Sequence, residues 1–133
     1  MLPYFRFHHI GIATPSIEKT SKFYVEAGYA MSDPVIDEVQ DIRIAFLSKE
    51  GMPTIELLEP IDDRSPVNNT LKKNGVQPYH CCYIVSNIEK AIQDLRAKRF
   101  IPLSKPVNAV ALNNHMICFL YNKQVGLIEL VEE

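Results

Sequence analysis

Two histidines and two glutamates recur at matching places in the two halves of this chain. His9 in the first half recurs as His80 in the second, and Glu56 recurs as Glu129. Repeated stretches are informative because each copy is expected to build the same local structure. Imidazole nitrogens and carboxylate oxygens both bind divalent transition metals, so these four residues form a ready set of metal ligands.

The repetition extends well beyond the four candidate ligands. Residues 44–59 read IAFLSKEGMPTIELLE, and residues 117–132 read ICFLYNKQVGLIELVE. The tripeptide IEK occurs at 17–19 and again at 88–90. The chain therefore consists of two modules of similar length, each of which opens with a histidine and closes with a glutamate.

A set of two imidazoles and two carboxylates selects among metals. These ligands of intermediate softness suit Ni²⁺, Co²⁺, Zn²⁺ or Mn²⁺ better than Ca²⁺ or Cu⁺. With six ligands around the ion, two positions remain for solvent or substrate oxygens. A Lewis acid at such a place can bind a carbonyl oxygen and stabilise the enolate that forms when the adjacent carbon loses a proton.

The apolar periodicity predicts a βαβββ order in each module. In the first module, Ser16 is a candidate N-cap of a helix that ends at Gly28. In the second, Asn87 begins a helix whose apolar positions recur with the 3.6-residue period. The predicted strands of the first module are 4–13, 34–39, 42–48 and 54–59. Those of the second are 79–85, 115–121 and 126–132, preceded by two shorter candidates at 101–103 and 107–111 that Pro102 and Pro106 interrupt.

The length of 133 residues favours one domain. We expect module 1 at 1–60, a linker helix within 61–77 that starts at Ser65-Pro66, and module 2 at 78–133. The predicted fold is α+β. Its two modules form a curved, incomplete mixed barrel of about eight strands, with the helices outside and a metal in the concave cleft.

The alternation of side chains along a strand predicts which residues share a face. Glu56 lies between Ile55 and Leu57, and Glu129 lies between Ile128 and Leu130. Neighbouring side chains in a strand point to opposite faces. If the apolar residues pack under the helices, then both glutamates, like His9 and His80, lie on the face away from the helices.

Composition and charge exclude several classes. The formal net charge of -2 argues against nucleic-acid binding. No apolar run has the length of a membrane span, and residues 1–9 lack the pattern of a signal peptide. The three cysteines, Cys81, Cys82 and Cys118, are an odd number in strand-like apolar segments, which favours reduced thiols in a cytoplasmic protein.

Several stretches together resemble one superfamily over the whole chain. They are FHHIGIA at 7–13, IELLEP at 55–60, SPV at 65–67, HCCY at 80–83 and GLIEL at 126–130. These stretches resemble the vicinal-oxygen-chelate superfamily, also called the glyoxalase/bleomycin-resistance fold, and in particular methylmalonyl-CoA epimerases and glyoxalase I-like proteins. The resemblance implies a divalent metal held by His9, Glu56, His80 and Glu129.

The chain departs from the epimerases at two positions. The epimerases that it resembles carry glutamates where this chain has Val39 and Ile44, and Glu38 is displaced by one residue. A glyoxalase I-type reaction does not need those acids, because by resemblance a metal-bound glutamate is the base. The leading prediction is therefore a metal-dependent lyase or isomerase of the glyoxalase I type that moves a proton α to a carbonyl in a small thioester or hemithioacetal. Glu129 is the expected base, and Glu56 is its symmetry mate.

Three alternatives stay open at this point. The first is methylmalonyl-CoA epimerase. The second is a metal-free binding protein like the bleomycin-binding members of the fold, which the intact ligand set disfavours. The third is an extradiol-type dioxygenase, which uses two histidines and one carboxylate on iron, so the fourth ligand Glu56 speaks against it. Open strand edges favour a homodimer.

A few further polar residues have a structural and a functional interpretation. We expect His8 on the helix-facing side, His115 exposed, and Glu59 and Glu132 as surface charges at strand ends. Cys82 shares the face of His80 and is more often a packed thiol than a ligand. The pair Lys72-Lys73 is a solvated helix end or a contact for the phosphate of a CoA-like substrate.

Overall fold

The computed structural model describes residues 5–133, so Tyr4, the predicted start of the first strand, lies outside the described residues. The chain divides into two compact units. The N-terminal unit is His9–Tyr79, and the C-terminal unit consists of residues 5–8 with His80–Glu133. The linker helix thus belongs to the N-terminal unit. That both units form one domain stays a prediction.

Ten strands and three α-helices make up the described chain. The first half contains β1 (Arg6–Ala13), α1 (Ile17–Glu26), β2 (Ala30–Met31), β3 (Val35–Asp37), β4 (Ile42–Ser48), β5 (Ile55–Pro60) and α2 (Val67–Asn74). The second half contains β6 (Gln77–Val85), α3 (Ile88–Ala97), β7 (Ile101–Pro102), β8 (Val107–Ala109), a 3₁₀ turn (Val110–Leu112), β9 (His115–Asn122) and β10 (Gly126–Glu132).

The N-terminal unit places α1 against one face of a mixed sheet. Its strand order is β2-β4-β5-β1, and β3 pairs with β4. β1 runs parallel to β5, whereas β4 and β5 are antiparallel. Ser16 caps α1 by accepting a hydrogen bond from the backbone N–H of Lys19. The buried apolar cluster between helix and sheet is Ile12, Ile17, Ala45, Leu47, Ile55 and Leu57.

The C-terminal unit repeats this arrangement with α3. Its strand order is β6-β10-β9-β7, and β8 pairs with β9. β10 runs parallel to β6 and antiparallel to β9. Asn87 caps α3 by accepting from the N–H of Lys90. The buried cluster under the helix is Val85, Ile88, Ala91, Ile92, Leu95, Cys118, Leu120, Ile128 and Leu130.

A side chain from the neighbouring hairpin binds the C-terminal end of α1 and of α3. Lys49 Nζ donates to the carbonyl oxygen of Ala27 at 2.7 Å. Asn122, which occupies the matching position of the second repeat, donates through Nδ2 to the carbonyls of Lys98 at 3.3 Å and Arg99 at 3.4 Å. These carbonyls have no partner within the helix, so side-chain donors satisfy part of the helix end.

The prediction that Glu59 and Glu132 are surface charges is wrong in its detail. Both side chains are only partly exposed. The carboxylate of Glu59 accepts from the backbone N–H of Ile17, and that of Glu132 accepts from the N–H of Ile88. Their strand parity points them toward the helices, as the sequence indicated, but a helix N-terminus receives each of them.

The predicted α+β class and the duplicated βαβββ core of the modules are confirmed, with small differences at element ends. The two-residue strand β2 was not predicted. The strand predicted over 34–39 ends at Asp37, because the Asp37 carboxylate accepts from the backbone N–H and the side-chain amide of Gln40 and so closes a turn. In residues 5–133 no helix combines the length and the apolar character that crossing a membrane requires.

Candidate metal centre

The N-terminal unit builds a buried pair from His9 and Glu56. His9 lies on β1 and Glu56 on β5, and the two strands are parallel with Gly11 directly opposite Glu56. His9 Nε2 lies 3.1 Å from Glu56 Oε1. The two residues are 0% and 3% exposed.

The C-terminal unit builds the same pair from His80 and Glu129. In the parallel pairing of β6 and β10, Glu129 lies opposite Cys82, two residues after the histidine, just as Glu56 lies opposite Gly11. His80 Nε2 is 3.3 Å from Glu129 Oε1. Both residues are buried. The two units therefore contain the same imidazole–carboxylate contact, and in both it results from the same pairing register of two parallel strands.

A phenylalanine flanks each pair and was given no role in the sequence analysis. Phe46 lies opposite Glu56 in the register of β4 and β5, and Phe119 lies opposite Glu129 in that of β9 and β10. The ring centroid of Phe46 is 5.6 Å from that of His9 at 75°, and Phe119 is 5.1 Å from His80 at 90°. The signal that could have found them is their recurrence on the strand face that carries the glutamates.

The donor set of each pair fits a divalent transition metal. Each offers an imidazole nitrogen and a carboxylate oxygen that could hold a metal ion. Burying such groups is costly unless they are hydrogen-bonded, paired with each other or coordinated to a metal. One nitrogen and one oxygen in a buried, water-poor place are typical ligands of Zn²⁺, Co²⁺ and Ni²⁺.

The two positions at which the resemblance predicted glutamates, Val39 and Ile44, lie in and just after the β3–β4 turn. Val39 and its neighbour Glu38 are exposed in the turn that follows β3. Ile44 is buried in β4, two residues from Phe46 and so on the face that carries Glu56. Of these two positions, only that of Ile44 lies on the strand face that carries Glu56, and it holds an apolar side chain.

The remaining polar candidates differ in their burial. His115 is exposed, as predicted, and its Nδ1 lies 2.7 Å from the carbonyl oxygen of Glu132. His8 is partly buried on β1, and Cys82 is fully buried opposite Glu129. Lys72 and Lys73 are placed in the last turn of α2, at its solvent-facing end.

On the side of the sheet that faces α1, Arg43 forms ion pairs with two glutamates. Arg43 donates to Glu18 at 2.7 Å and to Glu59 at 3.4 Å. Its hydrogen bond to Glu18 holds the pKa of that carboxyl below its usual value, and in turn raises the pKa of Arg43.

The three cysteines, Cys81, Cys82 and Cys118, are free thiols in the described structure. Burial, and then the charge of Glu89, raise the pKa of Cys118 to about 11.

Sequence comparisons extend over nearly the whole chain. The profile of the glyoxalase/bleomycin resistance protein/dioxygenase superfamily matches residues 8–119. The mitochondrial methylmalonyl-CoA epimerase of Homo sapiens is 33% identical over 129 residues, which cover 94% of this chain and 72% of the relative.

The comparison with solved structures also finds methylmalonyl-CoA epimerases. The methylmalonyl-CoA epimerase of Mycobacterium tuberculosis is 27% identical with a TM-score of 0.84, and the match covers 96% of this chain and 87% of that one. A Streptomyces coelicolor methylmalonyl-CoA epimerase variant in complex with 2-nitronate-propionyl-CoA is 29% identical with a TM-score of 0.82, with 96% of both chains covered.

These relatives are enzymes, which confirms the prediction of an enzyme. They favour the epimerase alternative over the leading glyoxalase I prediction, for which they give no specific support. The predicted resemblance to the superfamily is confirmed by the match over residues 8–119, which includes the His9, Glu56 and His80 stretches. The chain belongs to the glyoxalase/bleomycin resistance protein/dioxygenase superfamily.

Proposed function

We propose that this protein is a divalent-metal-dependent isomerase of the methylmalonyl-CoA epimerase type, which moves a proton α to the carbonyl of a small CoA thioester. The observation that carries the proposal is the similarity, over 94% of the chain, to enzymes of that name. The Streptomyces relative with a bound propionyl-CoA derivative adds support for the substrate class.

The metal site in this proposal consists of His9, Glu56, His80 and Glu129 around one ion. Its support is the chemistry of the residues: each unit carries one buried imidazole 3.1 or 3.3 Å from one buried carboxylate. The two pairs together have the ligand types that suit Ni²⁺, Co²⁺, Zn²⁺ or Mn²⁺. A bound divalent cation supplies a Lewis acid that stabilises negative charge on a carbonyl oxygen.

The residues themselves would hold and move the proton. Epimerisation removes a proton from one face of the α carbon and returns a proton to the other face. We assign removal to the carboxylate of Glu129 and the complementary role to Glu56, because the two glutamates are equivalent by the repeat and come from different units. Burial of both carboxylates keeps bulk water away from the transferred proton.

A glyoxalase I-type reaction remains a second candidate for a specific reason. Val39 and Ile44 replace the two glutamates of the resembling epimerases, so the chain lacks acids at those positions. A reaction in which the metal-bound glutamate is the only base would tolerate this change. The substrate would then be the hemithioacetal of a small thiol and an α-oxoaldehyde.

Proton exchange distinguishes the two candidates. The protein loaded with Ni²⁺, Co²⁺ or Zn²⁺ should incorporate solvent deuterium at the α carbon of methylmalonyl-CoA in heavy water, with inversion of that centre. Methylglyoxal with a thiol should give no turnover. Glu129→Gln should abolish the exchange, whereas Glu50→Gln, an exposed control in the loop between β4 and β5, should not. Turnover of the hemithioacetal without exchange into the thioester would replace the proposal by its alternative.

The proposal includes assembly and location. The two-residue strands β2 and β7 end the strand orders of their units, and each has one strand neighbour among the described residues. An open strand edge can pair with another copy, so we propose a homodimer, and the three free cysteines support a cytoplasmic location. Light scattering coupled to size exclusion should give twice the chain mass of 15.2 kDa; a mass of one chain would contradict the dimer.

A further inference from the structure

Phe46 and Phe119 have no role in the proposed chemistry, yet each borders one candidate metal-binding pair. They lie at equivalent positions of the repeat, on β4 and β9. We infer that they are positioning residues, which orient the imidazoles of His9 and His80 for metal binding. The inference rests on the proposed function, because orientation matters only if these histidines bind a metal.

The ring geometry is the first step of the argument. Phe46 meets His9 with centroids 5.6 Å apart and ring planes at 75°, and Phe119 meets His80 at 5.1 Å and 90°. These values lie in the range of favourable edge-to-face pairs. The terminal torsion of a histidine is broad when nothing contacts the ring. A perpendicular aromatic neighbour restricts that torsion and so limits the directions in which the ring nitrogens point.

The strand register is the second step. Phe46 is directly opposite Glu56, and Phe119 is directly opposite Glu129. Residues directly opposite each other in antiparallel strands have neighbouring Cβ atoms and share a face. Each phenylalanine therefore borders both members of its pair, the imidazole through its ring and the carboxylate across the strands.

The two rings do not belong to the apolar cores under the helices. The same strands supply Ala45 and Leu47 to the cluster under α1, and Cys118 and Leu120 to the cluster under α3. Alternation puts Phe46 and Phe119 on the opposite face, where they are partly exposed. An apolar side chain in this place is explained by the group that it shields, since the apolar surroundings of a metal site control its access to solvent and its affinity.

The experiment measures Co²⁺ binding by titration of the visible absorption of the bound ion. Phe46→Leu and Phe119→Leu should each weaken Co²⁺ binding roughly two- to tenfold, which corresponds to the usual free energy of an aromatic pair. The absorption band should also change shape, because the ligand angles change. Phe23→Leu is the matched control: Phe23 is 69% exposed on α1 and forms a similar perpendicular pair with Tyr24 at 5.2 Å and 82°. It should bind Co²⁺ like the unaltered protein.

A conservative variant separates the orientation of the ring from the filling of space. Phe46→Tyr keeps the aromatic ring and should retain both the affinity and the band shape. If both leucine variants bind Co²⁺ with unchanged affinity and an unchanged spectrum, or if Phe46→Tyr loses as much affinity as Phe46→Leu, the inference is overturned. If the unaltered protein does not bind Co²⁺, the proposed metal site fails first, so the two failures are distinguishable.

Discussion

The carboxylate of Glu59 accepts a hydrogen bond of 2.9 Å from the backbone N–H of Ile17, the first residue of α1. Glu132 makes the same bond of 2.8 Å to Ile88, the first residue of α3. Each glutamate follows a candidate ligand, Glu56 or Glu129, on the same strand and lies on the opposite face. One strand thus presents one glutamate to the buried histidine and another to the helix N-terminus, where a negative charge is favourable.

Removal of either capping charge should weaken the fold. Glu59→Gln and Glu132→Gln should each lower the free energy of unfolding by about 1 kcal/mol, in the range found for helix N-caps. Urea denaturation of the metal-free protein measures this difference. The exposed Glu50→Gln should change stability little. If Glu59→Gln and Glu132→Gln were as stable as the unaltered protein, the two hydrogen bonds would contribute nothing measurable to stability.

Arg43 links the Glu59 cap to the first turn of α1, and the C-terminal unit has Met116 at the equivalent position. Because the Arg43 hydrogen bond lowers the pKa of Glu18, Arg43→Met should return that pKa toward its usual value. A lowered carboxyl pKa contributes stability above the unfolded-state pKa, and this contribution is lost as the pH falls through the folded-state pKa. The variant should therefore lose less stability on acidification than the unaltered protein.

NMR titration of the Glu18 side chain measures the first effect, and denaturation across the acid range measures the second. Lys90→Met is a suitable control, because it removes an exposed ion pair of 3.5 Å with Asp94 on α3 and leaves Glu18 untouched. A Glu18 pKa that is the same with Arg43 and with Met at position 43 would contradict the assignment of the shift to the arginine.

The cysteines should differ sharply in reactivity. Cys81 is partly exposed, whereas Cys82 and Cys118 are buried. A disulfide reagent near pH 8 should modify Cys81 rapidly in the folded protein and the other two thiols only after unfolding. Cys81→Ser should remove the fast phase. A fast phase that persists in Cys81→Ser would show that a second thiol is accessible.

Cys118 should also make the free energy of unfolding depend on pH in the alkaline range. Because burial raises its pKa to about 11, the thiol ionises in the unfolded chain before it ionises in the fold. Its contribution is complete below the unfolded-state pKa of about 8.5 and is lost as the pH rises toward about 11. In Cys118→Ala the slope of unfolding free energy against pH should be smaller in this window. An unchanged slope would contradict the prediction.

The sequence predicted the elements and faces that depend on local pattern. The alternation around Glu56 and Glu129 predicted which side of each strand carries the apolar core, and the repeat located both helices. The partners of Glu59 and Glu132 could not be predicted in this way, because a cap contributed from a distant strand depends on where the helix starts above the sheet. The contacts of Phe46 and Phe119 likewise depend on the strand register, which the alternation alone does not fix.

Prediction of the substrate requires more than these local patterns. The histidine and glutamate pattern predicted a metal site and a superfamily, whereas Val39 and Ile44 favoured glyoxalase I chemistry. Similarity over nearly the whole chain favours the epimerases instead. Two substituted positions carry less weight than overall similarity, and only the exchange experiment decides what the substitutions do.

The central claim is that both pairs bind one ion together. Equilibrium dialysis of the purified protein against Co²⁺, followed by metal analysis, tests it most directly. We predict about one equivalent per chain, and complete loss of that equivalent in His9→Ala and equally in His80→Ala, although the two histidines lie in different units. Two equivalents per chain, of which each variant loses one, would contradict the claim, as would no uptake of metal at all.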